Sequence, residues 1–377
     1  MIHKENGYSL IELIVAMGLV LFVITAASNI FVNILGQFKQ QGKISETQIE
    51  GVIGFDILRR DIEHAGLGLP WNASDNVGVA VNWNTLTNYI EASAAPASDY
   101  NDAPANAPRA ILSGNGIGPN GSDALIIKST NVAITDTAHK WSHLGSDGIL
   151  KLWDLANENF VTNDRVIVVS PGTTEDNERT LIVNGTVFST LITYSGADAV
   201  VPAAFSPAEP TTTYLAYGLD PSTSPRMPFN RADYFISMLN TPSHCAPNTG
   251  VFVKTVVDHL DGDYDLNGDG VDDELPLFDC VADFQITYSM DTNDDGTIDL
   301  ISDDITLMSA TDIRDQVKEA MVTIVMQEGQ KDMTYDFSMD NTRDSLTTTN
   351  LSAIIGSPEY KYYRWKRYQM SVSLDNL

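Results

Sequence analysis

The sequence predicts an α+β chain in which one long N-terminal helix, apolar in its first half and amphipathic in its second, packs on a large antiparallel β-rich head. Three observations predict it. Apolar side chains run nearly without interruption from Tyr8 to Leu35; no proline occurs before Pro70; and from Trp71 onward short apolar runs alternate with Gly, Asn, Asp, Pro and Ser. With 377 residues, 43% of them hydrophobic, the chain can bury one large or two modest cores, which excludes disorder throughout. Against 22 Lys and Arg stand 50 Asp and Glu, a formal net charge of -28 that repels phosphate backbones, so no nucleic-acid partner is expected. Calcium-rich, extracytoplasmic surroundings suit such a surface better.

Residues 1–7 (MIHKENG) form a short polar leader ending in glycine. The segment after it is long enough to cross a bilayer, because roughly 20 apolar residues span the hydrocarbon, and Leu13 to Ile24 holds no charged or strongly polar side chain. Glu12 breaks the pattern. A carboxylate costs about 2.5 to 3.5 kcal/mol at the membrane centre on insertion scales, less near the surface, so it calls for a partner or a function. A secretory signal peptide would have a basic start, a shorter apolar core and a small-residue cleavage site, which Thr25-Ala26-Ala27 loosely supplies. Yet Lys4 and His3 sit beside Glu5, and the apolar pattern resumes at Ile30, Phe31 and Val32. An ordinary single-span anchor explains the length but neither Gly7 nor Glu12.

Gly7-Tyr8-Ser9-Leu10-Ile11-Glu12 resembles the type IV pilin, or class III, signal: Gly before the cut, an aromatic after it, and Glu at the fifth mature position. The resemblance implies cleavage by a prepilin peptidase between Gly7 and Tyr8, methylation of the new N-terminal amine, and a Glu12 that neutralises the amine of a neighbouring subunit during assembly. Tyr8 replaces the family's usual Phe, and the leader is less basic than is common. The implied fold is type IV pilin-like: leader 1–7, transmembrane and assembly helix 8–35, amphipathic continuation 36–66, and a β-rich head 67–377.

The continuation follows from spacing. From Gln37 to Ala65 apolar residues recur at three and four, with Ile49, Ile53 and Ile57 on one stripe and Val52, Leu58 and Ile62 beside it, so this face is expected to pack on the head. Gly66-Leu67-Gly68-Leu69-Pro70 ends the helix. Glycines 42, 51 and 54 each lower helix propensity by roughly 1 kcal/mol, which predicts local bending. In the head the expected strands are Ala124–Lys128, Arg165–Ser170, Thr180–Val183, Thr213–Tyr217, Phe284–Tyr288, Val317–Met326 and Tyr368–Leu374, with Ala92–Gly121 as a long loop. Gly114-Asn115-Gly116-Ile117-Gly118 has no following helix and is interrupted by Pro119, which argues against a phosphate-binding turn.

Further fragments resemble the PilW-type minor pilins, which are related to the J-type pseudopilins of type II secretion. Leu58-Arg59-Arg60-Asp61-Ile62-Glu63-His64-Ala65-Gly66 resembles that family's helix-ending segment. Gly121-Ser122-Asp123-Ala124-Leu125 resembles an early strand opening, Val281 to Tyr288 a later strand, and Tyr363 to Tyr368 through Leu374-Asp375-Asn376-Leu377 the closing strand. The likeness covers about a third of the chain. It implies a minor pilin that co-assembles at or near the tip of a type IV pilus and initiates or supports its biogenesis. The alternatives are a pseudopilin of type II secretion and a membrane-anchored, calcium-dependent adhesin. Implied partners are the prepilin peptidase, the major pilin, other minor pilins and a PilY-type tip adhesin. Implied locations are the inner membrane before assembly and the periplasmic or extracellular filament after it.

Two acidic loops share the pattern D-x-N-x-D-G-x-x-D: Asp265, Asn267, Asp269 and Asp273 in the first, Asp291, Asn293, Asp295 and Asp299 in the second. Calcium takes about 6 to 8 hard oxygens, and alternate oxygen-bearing residues around a glycine turn can supply them, so a structural calcium is expected near 263–274 and 291–303. The first loop also fits a register that starts at Asp263 and closes with Glu274. The competing reading is a pair of solvated Asn-Gly and Asp-Gly turns. Cys245 and Cys280 are too few for a disulfide scaffold. One bridge would close a loop of about 36 residues and be worth roughly 3 to 4 kcal/mol, the alternative being two buried thiols.

No catalytic arrangement stands out, and no enzymatic activity is expected. The six histidines (3, 64, 139, 143, 244 and 259) are scattered, with neither H-E-x-x-H nor G-x-S-x-G present. His139 and His143 would meet only on a helix, which the turn-rich surroundings do not support. Tyr360 to Arg367 is a basic aromatic island, better suited to a strand packing the head on the helix than to stacking bases.

Overall fold

In the computed structural model the described residues are 9–172, 178–220, 224–337, 350–356 and 358–377, with the side chains of 33 and 46–50 excepted. The leader and the Gly7–Tyr8 junction lie outside them, as does the side chain of Ile49.

Helix α1 runs unbroken from Leu10 to Glu63. The described residues from Leu10 to Phe38 are exposed, and Leu10–Ser45 is long and apolar enough to cross a membrane. The second half packs on the head, and the expected face is met in part: Leu58 and Ile62 enter the core and Ile57 packs against it. Ile53 and Val52 point to solvent, while Gly51, Gly54, Leu58, Ile62 and Ala65 are buried. The reason is the close approach at Gly54. A Cβ there would lie 2.6 Å from the Leu277 carbonyl oxygen and 2.8 Å from the Phe278 ring. Gly54 is therefore the contact point of helix and sheet, and the buried stripe is set by the small residue that admits a strand.

The chain then forms β1 (Asn72–Ser74), β2 (Ile111–Gly114), β3 (Ala124–Ser129), β4 (Trp141–Leu144), β5 (Arg165–Ser170) and β6 (Thr180–Ile182). After these come β7 (Thr190–Leu191), β8 (Thr193–Ser195), β9 (Asp198–Val200), β10 (Tyr214–Gly218), β11 (Asn230–Ser237) and β12 (Gly250–Val256). The last part holds β13 (Leu275–Met290), β14 (Leu300–Ser302), α2 (Ala310–Gln316), β15 (Val317–Glu328), α3 (Leu351–Ile354) and β16 (Arg364–Ser373).

Eight strands make the larger sheet, in the order β16-β15-β13-β12-β11-β3-β2 with β14 on β13. Six make the smaller, β1-β6-β5-β10-β4 with β7 on β5, and β8–β9 is a separate hairpin. Among the described residues, every pairing is antiparallel except β1 with β6. The fold is thus α+β, a long N-terminal helix on an antiparallel β-rich head. Leu58 and Ile62 of α1 join Tyr234, Phe252, Phe278, Phe284, Val322 and Ile324 of the larger sheet in the main core. Strand β5 is buried on both faces, Ile167 and Val169 in one cluster and Val166 and Val168 in another, which explains its unbroken apolar run.

The expected loop Ala92–Gly121 is not uniformly irregular: it contains β2, which pairs with β3 from Ile111↔Ile127 to Gly114↔Ala124. Strands β11 and β12 were not expected, and both are central in the larger sheet.

Candidate functional site

At the N-terminus of α1, Ser9 is the N-cap and Glu12 folds back on it: the Ser9 N–H donates to Glu12 Oε2 at 3.3 Å, and the Ile11 N–H donates to Ser9 Oγ at 3.4 Å. This capping box puts the acid of the apolar segment at the positive end of the helix dipole. Glu12 thus has a partner within its own chain before any neighbour supplies one.

The other end of α1 is fastened to the head by residues from β3, β11 and β12, by Arg179 and by the C-terminal segment. Asp61 Oδ2 accepts from Lys254 Nζ of β12 at 2.5 Å and from the buried Tyr234 hydroxyl of β11. Burial, then the nearby Asp61 charge, pushes the Tyr234 phenol well above its ordinary value, so it stays a donor. Past the helix end the Gly66 N–H donates to the Lys128 carbonyl. Gly66 has φ +83°, and a Cβ there would meet the Asn376 carbonyl oxygen at 2.6 Å. Asn376 Nδ2 in turn donates to the Glu63 carbonyl at 2.7 Å, while Arg179 Nη1 donates to the carbonyls of Gly66 at 3.0 Å and Asn376 at 2.7 Å. The C-terminal residues therefore satisfy carbonyl groups that a helix end leaves open. Asp123, from the strand-opening fragment, closes a ladder: its Oδ2 accepts the Ile286 N–H at 2.9 Å and Oδ1 the Gly116 N–H at 2.8 Å. Burial raises its carboxyl to about 6.

The two acidic loops are wound alike when counted from Asp265 and Asp291. The first aspartate accepts the N–H groups of the fifth and sixth positions, Asp269 and Gly270 for Asp265, Asp295 and Gly296 for Asp291. Asn267 and Asn293 accept the same fifth N–H, and Asp269 and Asp295 accept the seventh, from Val271 and Thr297. Asp273 and Asp299 accept from the second, Leu266 and Thr292. Asp263 stands outside this winding: its Oδ1 receives the Asp265 N–H. Glu274 contributes its N–H to the Asp272 carbonyl. The Gly270 N–H, followed by those of Gly268 and Asp269, holds the Asp265 carboxyl below its ordinary range, and the Thr297 hydroxyl and N–H do the same for Asp295. The arrangement offers three carboxyl side chains and one amide side chain per loop.

The first loop is tied to a buried ionic network that sequence reasoning missed. Lys128 and Arg231 are cross-strand neighbours on β3 and β11, an unfavourable pairing of like charges. Glu91 Oε2 lies between them, 2.6 Å from Lys128 Nζ and 3.2 Å from Arg231 Nη1. Asp102 binds Lys128 and Arg109, each at 2.6 Å, and Asp233 takes Arg231 at two positions, each 2.8 Å. Tyr264, which opens the loop, donates to Asp233 Oδ2 at 2.7 Å. Three cations thus face three anions, and both Lys128 and Arg231 are fully buried. The alternation of charged with apolar residues was the signal available in Asn230–Ser237.

Cys245 and Cys280 are joined as a disulfide. His244 lies beside them. His139 ends a short 3-10 turn and His143 sits in β4, so the two do not share a helix face. His259 is buried, hydrogen-bonded through Nε2 to Asn230 Oδ1 at 3.0 Å. In the basic island Tyr368 packs on Phe55 of α1 at 5.2 Å, Arg364 pairs with Asp332 and Lys366 with Glu328.

Residues 2–28 match the prokaryotic N-terminal methylation motif, which contains the Gly7–Glu12 segment. No curated protein sequence matches the chain. Among solved structures, a type IV-like pilin from Thermus thermophilus is similar at 10% sequence identity and a TM-score of 0.20, covering 42% of this chain and 71% of that one. The chain therefore carries a prepilin methylation motif on a long apolar helix that is fastened to an antiparallel β-rich head.

Proposed function

We infer that the protein is a minor pilin, PilW-like in its two ends, which a prepilin peptidase trims at Gly7 and which then co-assembles through its N-terminal helix at or near the tip of a type IV pilus. The observation that carries this is the exposed apolar rod of Leu10–Leu35, most of which lies within the methylation motif. Such a surface needs lipid before assembly and neighbouring helices after it. Trimming leaves the apolar segment at the extreme N-terminus, free to pass from bilayer to bundle. Glu12, self-capped in the single chain, then meets the methylated amine of a neighbour. The major pilin and other minor pilins are the natural partners, and the filament, reached from the inner membrane, is the destination. The protein has no enzymatic role in this reading.

Calcium is the cofactor that fits the acidic loops. Asp265, Asn267, Asp269 and Asp273 would hold one ion, Asp291, Asn293, Asp295 and Asp299 the other. Bound calcium would relieve carboxylate repulsion in each loop and stiffen it; the ion's part is structural. The test of the assembly role is Glu12→Ala in the producing cell. The variant is expected to be made, cut and methylated normally yet to abolish or sharply reduce piliation, and normal piliation would refute the role. Loss of protein secretion with no effect on piliation would reassign the chain to a type II secretion pseudopilus.

A further inference from the structure

Strand β4 ends the smaller sheet, whereas α1 packs on β13, β15 and β16 of the larger one. It opens with Trp141, and Trp153 lies in the segment that follows; their rings are 5.0 Å apart at 58°. Polar contacts hold Trp153, on whose ring Trp141 packs. Trp153 Nε1 donates to the Trp141 carbonyl at 2.8 Å, and Asn159 brackets Trp153, accepting its N–H at 2.6 Å and donating to its carbonyl at 2.9 Å. His143 meets Trp141 edge-on at 5.3 Å. Trp141 nonetheless remains 43% exposed. It lines a cleft of about 440 Å³, where an aromatic ring offers a large apolar contact surface.

Asp136, His139, Asn157 and Glu158 line the same cleft. Among the described residues, no hydrogen bond or ion pair engages the side chains of these four, whereas neighbouring Lys140 is held by Asp164 at 3.2 Å. The cleft thus joins an immobilised aromatic platform to a rim of uncommitted acceptors and mixed donor-acceptors.

From this geometry we propose that the cleft binds a neutral saccharide, one pyranose ring lying on Trp141 with its hydroxyls on Asp136, Asn157 and Glu158. A sugar ring offers an apolar C–H face and a belt of hydroxyls that each donate and accept; the indole matches the first, and carboxylates with an amide and an imidazole match the second. A quaternary ammonium would need rings closing round it and no donors, and the Lys151 ammonium already covers Trp153 at 4.7 Å. Acidic sugars are repelled by two carboxylates on a chain of net charge -28. The site is independent of the N-terminal helix and of the assembly reading.

The test screens the detergent-solubilised full-length protein on an array of neutral and acidic oligosaccharides, then titrates the best neutral binder by calorimetry. Trp141→Ala is expected to weaken binding at least about tenfold. Asn157→Ala combined with Glu158→Ala, both exposed, should weaken it several-fold while far-UV circular dichroism matches the wild type. If Trp141→Ala fails to fold, the double variant decides alone. Wild type that captures no neutral glycan, or only acidic ones, overturns the proposal. So does a folded variant that binds as tightly as wild type.

Discussion

Removing the Asp61 carboxylate tests the joint that fastens the helix to the head. In Asp61→Ala the Lys254 ammonium, whose side chain is 7% exposed, loses its carboxylate. The Tyr234 hydroxyl, on a fully buried residue, loses its acceptor at the same time. Breaking a buried pair costs about 3 to 5 kcal/mol, and an orphaned buried hydroxyl about 1 to 3. Asp61 itself is 12% exposed, so water can reach the ammonium and the lower ends of both ranges apply, about 4 kcal/mol in all. Adding Lys254→Met removes the stranded charge and should return about 2 kcal/mol. The assay is urea unfolding of the detergent-solubilised chain followed by tryptophan fluorescence, with hydrogen exchange of residues 51–63 as the local readout. A single variant within about 0.5 kcal/mol of wild type, or a double variant with no recovery, would refute the claim that this pair docks the helix.

Other predictions follow from the same structure. Calorimetric titration of the full-length protein with calcium should give two sites, with Asp269→Ala and Asp295→Ala each removing one; no heat from the wild type would refute both. Glu91→Gln leaves the buried network one positive charge in excess and should lower stability by about 3 kcal/mol in urea, and a loss under 1 kcal/mol would contradict its bridging role. Burial, helped by Arg226 and Arg165, pushes His259 down to about 3 from its ordinary 6.5, so the unfolded chain takes up the proton first. The stability it contributes is therefore complete above pH 6.5 and drains away as pH falls toward 3, by roughly 2 kcal/mol at pH 5. His259→Gln should flatten that acid limb, and an unchanged pH profile would count against it.

How much was legible depended on how each element hides its polarity. The strands at Ala124, Arg165, Thr180, Thr213, Phe284, Val317 and Tyr368 announced themselves as apolar runs, and the structure places strands at all seven, extending the fifth to Leu275–Met290. Strand β11 was hidden because Arg231 and Asp233 look like surface residues until Glu91 and Tyr264 are brought to them from distant segments. The same network explains the segment after Ala92: Glu91, Asn101 and Asp102 pin it to β3 and β11, an ordering force that composition does not reveal. The helix face was legible in part: Leu58, Ile62 and Ile57 pack on the head, whereas Val52 and Ile53 are exposed because close approach at Gly54 sets which side meets the sheet. The end motifs were readable as a resemblance. That Asn376 and Gly66 meet at the foot of the helix was not, since three hundred residues of chain separate them.

In the proposed assembly, trimming at Gly7 leaves the exposed apolar rod of Leu10–Leu35 at the N-terminal end of the mature chain. Intact-mass and N-terminal peptide spectrometry of protein purified from its own membranes or filaments tests this most directly. The account predicts a chain that begins with an N-methylated Tyr8; a chain that begins at Met1, or at Ser28, would contradict it.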